Sequence, residues 1–467
     1  MPVHAYAREN FLVRNRTNSY HASNPRIDFN TQQNMNNDSS QNSITRRHFV
    51  KQGAALGAGF STLGYVKSMK GQNAPSQKLR VGILGMGRGR GHISAWSAVP
   101  GVEIAYVCDI DKKRLAVGVT ATNKRQSTET KGVEDFRRIL EDPTVDIISI
   151  ALPNFWHTPA AIMAIKAGKH VYVEKPGSHN AREGELLVAA ARKYDRYVQM
   201  GNQRRSYPTQ IESMAKLHDG VIGKLLYSRC WYSGARGSIG KGKQVPVPED
   251  MNFDLWTGPT PERPYVDNLV HYNWHWRWHW GGGELANNGI HALDISRWGL
   301  GAKYPTRVSY LGNRYHHDDD QETPDTGVAQ FDFGDYGASW DGSSCHTRKA
   351  DAHPFVAFYG EGGTMHLDGG GGYKIVDFNG KEIESVKGIR GDVPHFTNLA
   401  DCVRYGGHLN SEIGEAQISS LWCHLGNIAL RTGQTLDIDP ATGKIVGNDE
   451  AQKLWGREYR KGWEPTI

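Results

Sequence analysis

The feature that most constrains this chain is a glycine-rich turn directly between two segments expected to be strands. Leu79–Leu84 is a mostly apolar run of the kind found in buried parallel strands, and a helix is expected over residues 92–99. A second strand, Val102–Cys108, ends at Asp109. The turn after the first strand contains Gly85, Gly87, Gly89 and Gly91. The order strand, glycine turn, helix, strand and acid predicts a dinucleotide-binding Rossmann domain.

The residues of this turn have separate roles in the prediction. Gly85 permits a tight turn, and Gly87 lets the backbone approach a pyrophosphate at the helix N-terminus, where free N–H groups favour an anion. Met86 and Arg88 lie in the same turn and are included in the predicted cofactor site. Asp109 is expected to accept hydrogen bonds from the adenosine ribose and to repel a 2′-phosphate, which makes NADP less favourable than NAD. The cations that weaken this preference are Lys112, Lys113 and Arg114.

The alternation of strands and helices continues beyond this unit. Further strands are expected over residues 145–152, 170–173 and 197–201, with helices over 157–169 and 181–194. Ligands of open parallel sheets bind beyond the carboxyl ends of the strands. The residues at those ends join the predicted cofactor site: Pro153, Asn154, His157, Glu174, Lys175 and Gln203.

Residues 1–77 are expected to lie outside the fold. Residues 1–45 are polar and lack apolar periodicity, which is typical of disorder. Arg46 and Arg47, followed by Phe49, Lys51 and an uncharged stretch over 53–66, resemble a twin-arginine export signal. The stretch is too short to span a bilayer, so no membrane anchor is expected. The pattern predicts a periplasmic or otherwise exported protein.

Composition excludes some classes of partner. The net charge of +6 is not gathered in a long basic run, which argues against nucleic acid. Five cysteines without a CxxC pair argue against a zinc site, and residues 316–320 (HHDDD) are expected to be a charged loop rather than a metal site. The 13 tryptophans favour a carbohydrate cleft, because indole faces pack on the apolar surface of sugars.

Glu174-Lys175-Pro176, placed after a strand of a Rossmann domain, resembles the glucose–fructose oxidoreductase and inositol dehydrogenase family, often written Gfo/Idh/MocA. Further similar stretches begin at Leu152, Gly201, Gly281 and Cys423. The resemblance covers roughly residues 78–465 and implies an NAD-binding domain over 78–205 and a C-terminal substrate and dimerisation domain over 206–467. Polar alternation from Lys224 predicts an open, mostly antiparallel sheet in that second, α+β domain. Its strands are expected over 225–232, 307–315, 328–333, 338–344, 355–359 and 373–378, and later helices over 395–405 and 412–432.

The resemblance also implies catalytic residues. The lysine of the family's EKP motif, here Lys175, lies beside the nicotinamide and the substrate hydroxyl. A second family motif, Asp-x-x-x-His on a helix, aligns its histidine with His291 and its aspartate with Asn287. Because an asparagine cannot be a general base, proton abstraction is assigned to His291 or Lys175. Arg204 and Arg205 are expected to orient the sugar ring.

A tryptophan-rich segment, residues 271–280, directly precedes this helix. In an extended chain its alternation would place the indoles on one side and the cations on the other. One interpretation is a sugar-stacking wall that includes Trp274, His275 and Trp276; the other is aromatic packing between domains. Both remain open at this stage.

These observations predict an NAD-dependent dehydrogenase that oxidises a secondary hydroxyl of a sugar, glycoside or cyclitol. The resemblance adds a homodimer or homotetramer formed through the C-terminal sheet. One alternative is an NAD-dependent glycoside hydrolase that oxidises its sugar transiently, as in glycoside hydrolase family 109, which this fold resembles. The other is a non-catalytic NAD-binding sensor. The identity of the sugar and the carbon oxidised stay open.

Overall fold

A six-stranded parallel sheet forms the first part of the structure. Its strands are β1 Leu79–Leu84, β2 Val102–Cys108, β3 Lys131–Val133, β4 Ile147–Ile150, β5 His170–Val173 and β6 Val198–Met200. Their order across the sheet is β3-β2-β1-β4-β5-β6. The winding therefore reverses between β1 and β4, the position at which doubly wound sheets bind ligands. This computed structural model describes residues 78–346, 348 and 351–467. The twin-arginine motif lies outside the described residues, so export remains a prediction.

Helices on both faces bury this sheet. They are α1 Gly89–Trp96, α2 Lys112–Asn123, α3 Arg137–Leu140, α4 Asn154–Lys166 and α5 Ala181–Lys193. Val81 and Ile83 belong to one apolar core cluster, whereas Leu84 and Ile148 belong to another. Burial on both faces explains why these strands are nearly continuous apolar runs. Two helices begin three residues earlier than the sequence predicts: α1 at residue 89 and α4 at residue 154. Both therefore begin directly after a strand-end turn, with their N-terminal N–H groups at that edge of the sheet.

A nine-stranded sheet forms the second part. Its strands are β7 Leu225–Ser233, β8 Arg307–Asn313, β9 Thr326–Asp332, β10 Gly337–Ser343, β11 Val356–Gly360, β12 Gly363–Leu367, β13 Tyr373–Val376, β14 Glu382–Val386 and β15 Leu436–Asp437. Their order is β14-β13-β12-β11-β7-β10-β9-β8-β15, and β7–β10 is the parallel pair in an otherwise antiparallel set. The predicted fold class is confirmed. The strands β3, β12, β14 and β15 were not predicted from the sequence, and all four are short.

The remaining helices join the two sheets. They are α6 Pro208–His218, α7 Phe253–Thr257, α8 Ile290–Leu300, α9 Val393–Tyr405, α10 Ile413–Thr432 and α11 Asp449–Lys453. Most of α10 is buried, and it packs against α5, α8 and β8. Through these contacts the carboxyl ends of the parallel strands face the start of α8. None of the helices in the described ranges is long and apolar enough to cross a bilayer.

Candidate active site

A cavity of about 710 Å³ runs along the carboxyl ends of the parallel strands and reaches the start of α8. Its volume lies in the range of small-molecule and cofactor sites. Most of the predicted site residues line it: Gly85, Gly87, Arg88, Asp109, Pro153, Asn154, His157, Glu174, Lys175, Gln203, Arg204, Trp274, His275, Asn287 and His291. Met86, Arg205 and Trp276 do not.

The glycine turn gives this cavity a site suited to a diphosphate. Gly85 has a φ of +85°, and a Cβ added there would lie 2.6 Å from the carbonyl oxygen of Ala151. A side chain at this position is therefore strained and also blocked. Gly85 is held by its own N–H, which donates to the carbonyl of Cys108 at 2.8 Å. The N-terminus of α1 begins two residues after Gly87 and offers free N–H groups to an anion.

Asp109, at the end of β2, is held by backbone donors. Its Oδ2 accepts from the N–H of Met86 at 2.7 Å, and its Oδ1 accepts from the N–H of Asp111 at 2.9 Å. Burial raises the pKa of Asp109, although these N–H groups and the charge of Arg114 oppose the rise. Each oxygen keeps a lone pair for a ribose hydroxyl. The side chain of Met86 is buried in the core, so Met86 orients Asp109 instead of lining the cavity as predicted.

An aromatic slot beyond Asp109 was missed by sequence reasoning. Trp156 packs edge-on against Phe136 and against Trp463, with ring centroids 5.5 and 5.4 Å apart. Its Nε1 donates to the carbonyl of Trp256 at 2.9 Å. All four rings line the cavity at the end where an adenine would lie. Ligands of parallel sheets bind beyond the carboxyl ends of the strands, and this strand-end rule would have found Phe136 if β3 had been assigned. Nothing local in the sequence marks Trp463.

Glu174, at the end of β5, anchors the middle of the site. Its Oε1 accepts from Arg88 Nε at 3.0 Å, from His92 Nε2 at 3.1 Å and from Gln203 Nε2 at 3.3 Å. Burial alone would raise the pKa of Glu174, but the His92 bond and the charge of Arg88 hold it well below its usual range. Arg88 also reaches Asp392 at 2.6 Å. Glu174 is therefore an ionised group that positions its neighbours.

Lys175, Asn287 and His291 converge at one end of the cavity. Lys175 Nζ donates to the main-chain oxygen of Asn287 at 2.7 Å and to its Oδ1 at 3.1 Å. Burial lowers the pKa of Lys175, although Glu174 and Glu284 oppose the fall. Asn287 lies in a wide helical turn, Leu285–Gly289, that leads into α8. The structure therefore brings Lys175 into contact with Asn287, one turn of helix before His291, as the predicted catalytic site requires.

The imidazole of His291 makes no hydrogen bond with any residue in the described ranges. Burial, reinforced by the charges of Lys175 and Arg204, lowers the pKa of His291 well below its usual value. A neutral ring with a free nitrogen is suited to accept a proton from a bound hydroxyl.

His157 ties two strand ends together. Its Nδ1 lies 2.6 Å from the carbonyl oxygen of Pro176, and its Nε2 lies 2.8 Å from that of Leu152. Burial lowers the pKa of His157. The ring therefore fixes the loop that carries Lys175 against the end of β4, where Pro153 and Asn154 line the cavity.

The two adjacent arginines behave differently. Arg204 lines the cavity. Arg205 is buried and forms an ion pair with Asp294 of α8, with Nη2 2.8 Å from Oδ1 and Nε 2.8 Å from Oδ2. The prediction that Arg205 contacts substrate is wrong, because its guanidinium is already used to hold α8 against the turn after β6.

The tryptophan-rich segment is not extended. It forms a short helical turn over Asn273–Trp276, so its indoles do not share one side. Trp274 stacks on His275 with centroids 3.5 Å apart, and both line the cavity. Trp276 is buried away from the cavity with the Arg236 guanidinium 4.5 Å from its ring centroid, so its predicted substrate contact is wrong. Trp280 packs against Phe155 of α4 and Trp256 of α7, with ring centroids 5.0 and 4.8 Å away.

Two family models match this chain. Residues 79–202 match a model described as "Oxidoreductase family, NAD-binding Rossmann fold", and residues 256–366 match one described as "GFO/IDH/MocA C-terminal domain". Together the matched regions span about half of the chain.

Relatives and solved structures agree with these matches. A "Glycosyl hydrolase family 109 protein" of Saccharopolyspora erythraea is 33% identical over 211 residues, which cover 41% of this chain and 46% of that protein. The matched part thus spans less than half of the relative. The aldose–aldose oxidoreductase of Caulobacter crescentus, solved with glycerol, has a TM-score of 0.61 at 20% identity and covers 77% of this chain and 100% of its own. The WlbA dehydrogenase of Bordetella pertussis, solved with NADH and UDP-GlcNAcA, has a TM-score of 0.60 at 19% identity. The match covers 78% of this chain and 99% of that protein.

Proposed function

This chain belongs to the Gfo/Idh/MocA family of NAD-binding oxidoreductases, and on that premise we propose that it oxidises a secondary hydroxyl of a sugar, glycoside or cyclitol. The observation that carries the proposal is the convergence of Lys175, Asn287 and His291 at one end of the cavity. The other end has the glycine turn, Asp109 and the aromatic slot. An elongated dinucleotide would be held by the glycine turn, Asp109 and the aromatic slot, and would supply a hydride acceptor near Lys175 and His291.

Bound NAD supplies the hydride acceptor, so the carbinol carbon loses a hydride and its hydroxyl loses a proton. The chain's own residues manage that proton. Lys175 lies against Asn287 and can donate a hydrogen bond to the sugar oxygen, which stabilises negative charge as the O–H bond breaks. The neutral imidazole of His291 accepts the proton. Asn287 uses its amide to orient a neighbouring hydroxyl.

Asp109 favours NAD over NADP in this proposal, because its carboxylate would face a 2′-phosphate. Arg114 lines the same end of the cavity and opposes that preference. Calorimetric titration of nucleotide-free protein tests the balance. We expect tighter binding of NAD than NADP, and we expect Asp109→Ser to reduce the difference. Equal affinities in the unaltered protein would contradict this assignment.

The proposal is tested by adding a panel of sugars, glycosides and cyclitols to NAD-loaded protein and following absorbance at 340 nm. We expect at least one member to give NADH. Lys175→Met should lower the rate about 10²- to 10⁴-fold, whereas the matched surface change Lys166→Met should not. Binding of NAD without oxidation of any sugar would favour a non-catalytic sensor.

A second candidate is an NAD-dependent glycosidase. It is favoured by the family 109 relative, and the same proton-handling residues would serve a transient oxidation. Release of nitrophenol from p-nitrophenyl glycosides without net NADH would select this activity over the dehydrogenase. Loss of release in Lys175→Met would place it in the same cavity.

Two further parts of the proposal concern where and how the protein works. We place it outside the cytoplasm by the twin-arginine route, and Arg46→Lys together with Arg47→Lys should retain it inside the cell. We also expect a dimer or tetramer formed through the nine-stranded sheet. Light scattering measures the mass of the assembly directly. A monomer at micromolar concentration would contradict that assembly.

A further inference from the structure

Arg204 lines the cavity at the opposite side of the parallel sheet from Asp109 and the aromatic slot. It follows β6, at the sheet edge opposite β2 and β3, in the short helical turn Gln203–Ser206. Three strand spacings separate β6 from β1 and its glycine turn, which is roughly 14 Å. Its guanidinium faces the second sheet: Nη2 donates to the carbonyl of Gly369 at 3.1 Å, and Cζ lies 4.7 Å from the centroid of Phe355. Arg204 is thus placed beyond a dinucleotide's diphosphate, on the substrate side.

No carboxylate in the described ranges pairs with Arg204. Its bond to Gly369 uses one of the five N–H donors of a guanidinium, and its buried Nε has no partner within those ranges. Asp294 is occupied by Arg205. Asp368 turns Oδ1 toward the N–H groups of Gly370 and Gly372, at 2.7 and 2.9 Å. A partly buried guanidinium without an anion is unfavourable unless a ligand completes it.

The two other cations whose charges act on His291, Arg88 and Lys175, differ from Arg204 in having polar side-chain partners within the described ranges. Arg88 contacts two carboxylates, Glu174 and Asp392. Lys175 is turned toward Asn287. At this end of the cavity Arg204 and Lys175 are positive charges, and the nearby carboxylates have partners of their own: Glu174 is paired with Arg88, Glu284 with Arg236 and Asp294 with Arg205. The local field favours an anionic group on whatever binds there.

We propose that the substrate of the activity proposed above is an acidic sugar, whose anionic group is bound by Arg204. A carboxylate, as in a hexuronate, fits best, because the planar fork of a guanidinium binds a planar carboxylate through two parallel hydrogen bonds. A phosphate ester offers the same charge and is separated from the carboxylate by the experiment below. That the bound sugar is oxidised rests on the proposed function. That an anionic sugar binds here rests on Arg204 alone.

The test compares three forms of each sugar on the NAD-loaded protein: glucuronate or galacturonate, the parent hexose, and the hexose 6-phosphate. Binding is measured by calorimetry and oxidation by absorbance at 340 nm. We expect a uronate to bind at least tenfold more tightly than its hexose. Arg204→Gln should weaken uronate binding about 10- to 100-fold and weaken hexose binding far less. Arg204→Lys should keep part of the affinity, since it retains the charge and lacks the fork. The surface control is Arg138→Gln, which should behave like the unaltered protein.

The outcomes separate the two claims. If the hexose 6-phosphate binds more tightly than the uronate and this preference is lost in Arg204→Gln, the anion site is supported and its ligand group is a phosphate. Binding of uronate without any oxidation, lost in Arg204→Gln, contradicts the dehydrogenase and leaves the anion site standing. Equal binding of hexose and uronate, or equal losses for both in Arg204→Gln, overturns the inference even if hexoses are oxidised. Thermal unfolding of each variant establishes that it is folded, and Arg204→Lys carries the test if Arg204→Gln is not.

Discussion

Removing the Arg205 guanidinium should destabilise the protein, because Arg205 holds α8 in place although it does not line the cavity. Asp294 is only 1% exposed, and in Arg205→Met its carboxylate loses all three hydrogen bonds from the guanidinium. Its remaining side-chain donor is the hydroxyl of Ser419, at 2.7 Å. Burial would raise the pKa of Asp294, but Arg205, helped by the charge of Arg297 and the Ser419 hydroxyl, outweighs that effect and lowers it. Breaking one partner of such a pair costs about 3–5 kcal/mol. That cost is a factor of roughly 10² to 10⁴ in the unfolding equilibrium constant.

The assay is urea unfolding of nucleotide-free protein at pH 7, followed by tryptophan fluorescence and far-UV circular dichroism. The double variant Arg205→Met with Asp294→Leu removes both charges, and it should recover much of the loss, because the neighbouring buried Arg297 keeps Glu415 as its carboxylate. A single-variant cost below about 1 kcal/mol, the range of exposed pairs, would refute the reasoning. So would a double variant as unstable as the single one. Arg204→Gln, one residue away, should leave the unfolding midpoint nearly unchanged.

Four other changes test separate parts of the structure. Lys175→Met should abolish most turnover while nucleotide affinity, measured by calorimetry, stays within a fewfold. Gly85→Ala should lower both stability and NAD affinity, since its Cβ would lie 2.6 Å from a carbonyl oxygen. Trp463→Ala should raise the NAD dissociation rate in stopped-flow fluorescence by opening the aromatic slot; an unchanged rate would exclude it from the cofactor site. His395 is neutral when folded because burial lowers its pKa from 6.5 to about 4. Protons therefore bind His395 preferentially in the unfolded chain, and this group alone should remove about 3 kcal/mol of unfolding free energy between pH 6.5 and 4. His395→Gln should reduce the slope of unfolding free energy against pH accordingly.

The sequence predicted the parts of this structure that repeat a local pattern. The apolar runs of β1, β2 and β5 match their observed bounds, because a strand buried on both faces is apolar along most of its length. The strand-end rule then placed Asp109, Glu174 and Lys175 on one cavity. Strand β14 was missed because none of its residues is buried, so its place is set by its neighbour in the sheet. Strand β12 alternates buried Met365 and Leu367 with polar residues, but five residues are too few for a clear signal.

Pairwise contacts between distant residues were beyond the sequence. Arg204 and Arg205 are identical in type and adjacent, and the carboxylate of Asp294, 89 residues later, decides which of them faces the cavity. The alternating indoles of the tryptophan-rich segment suggested a strand, but tertiary packing of Trp276 and Trp280 imposed a helical turn. Trp463 reaches the cavity from the C-terminal tail, and only the folded chain brings it there.

The central claim is that a sugar carbon gives its hydride to NAD in the cavity that Lys175 and His291 line. Mass spectrometry of the nucleotide after reaction with carbon-deuterated sugars measures that transfer. The account predicts NADH one mass unit heavier with the unaltered protein, and label lost in Lys175→Met although NAD remains bound. Unlabelled NADH, or labelling at an unaltered rate in Lys175→Met, would contradict it.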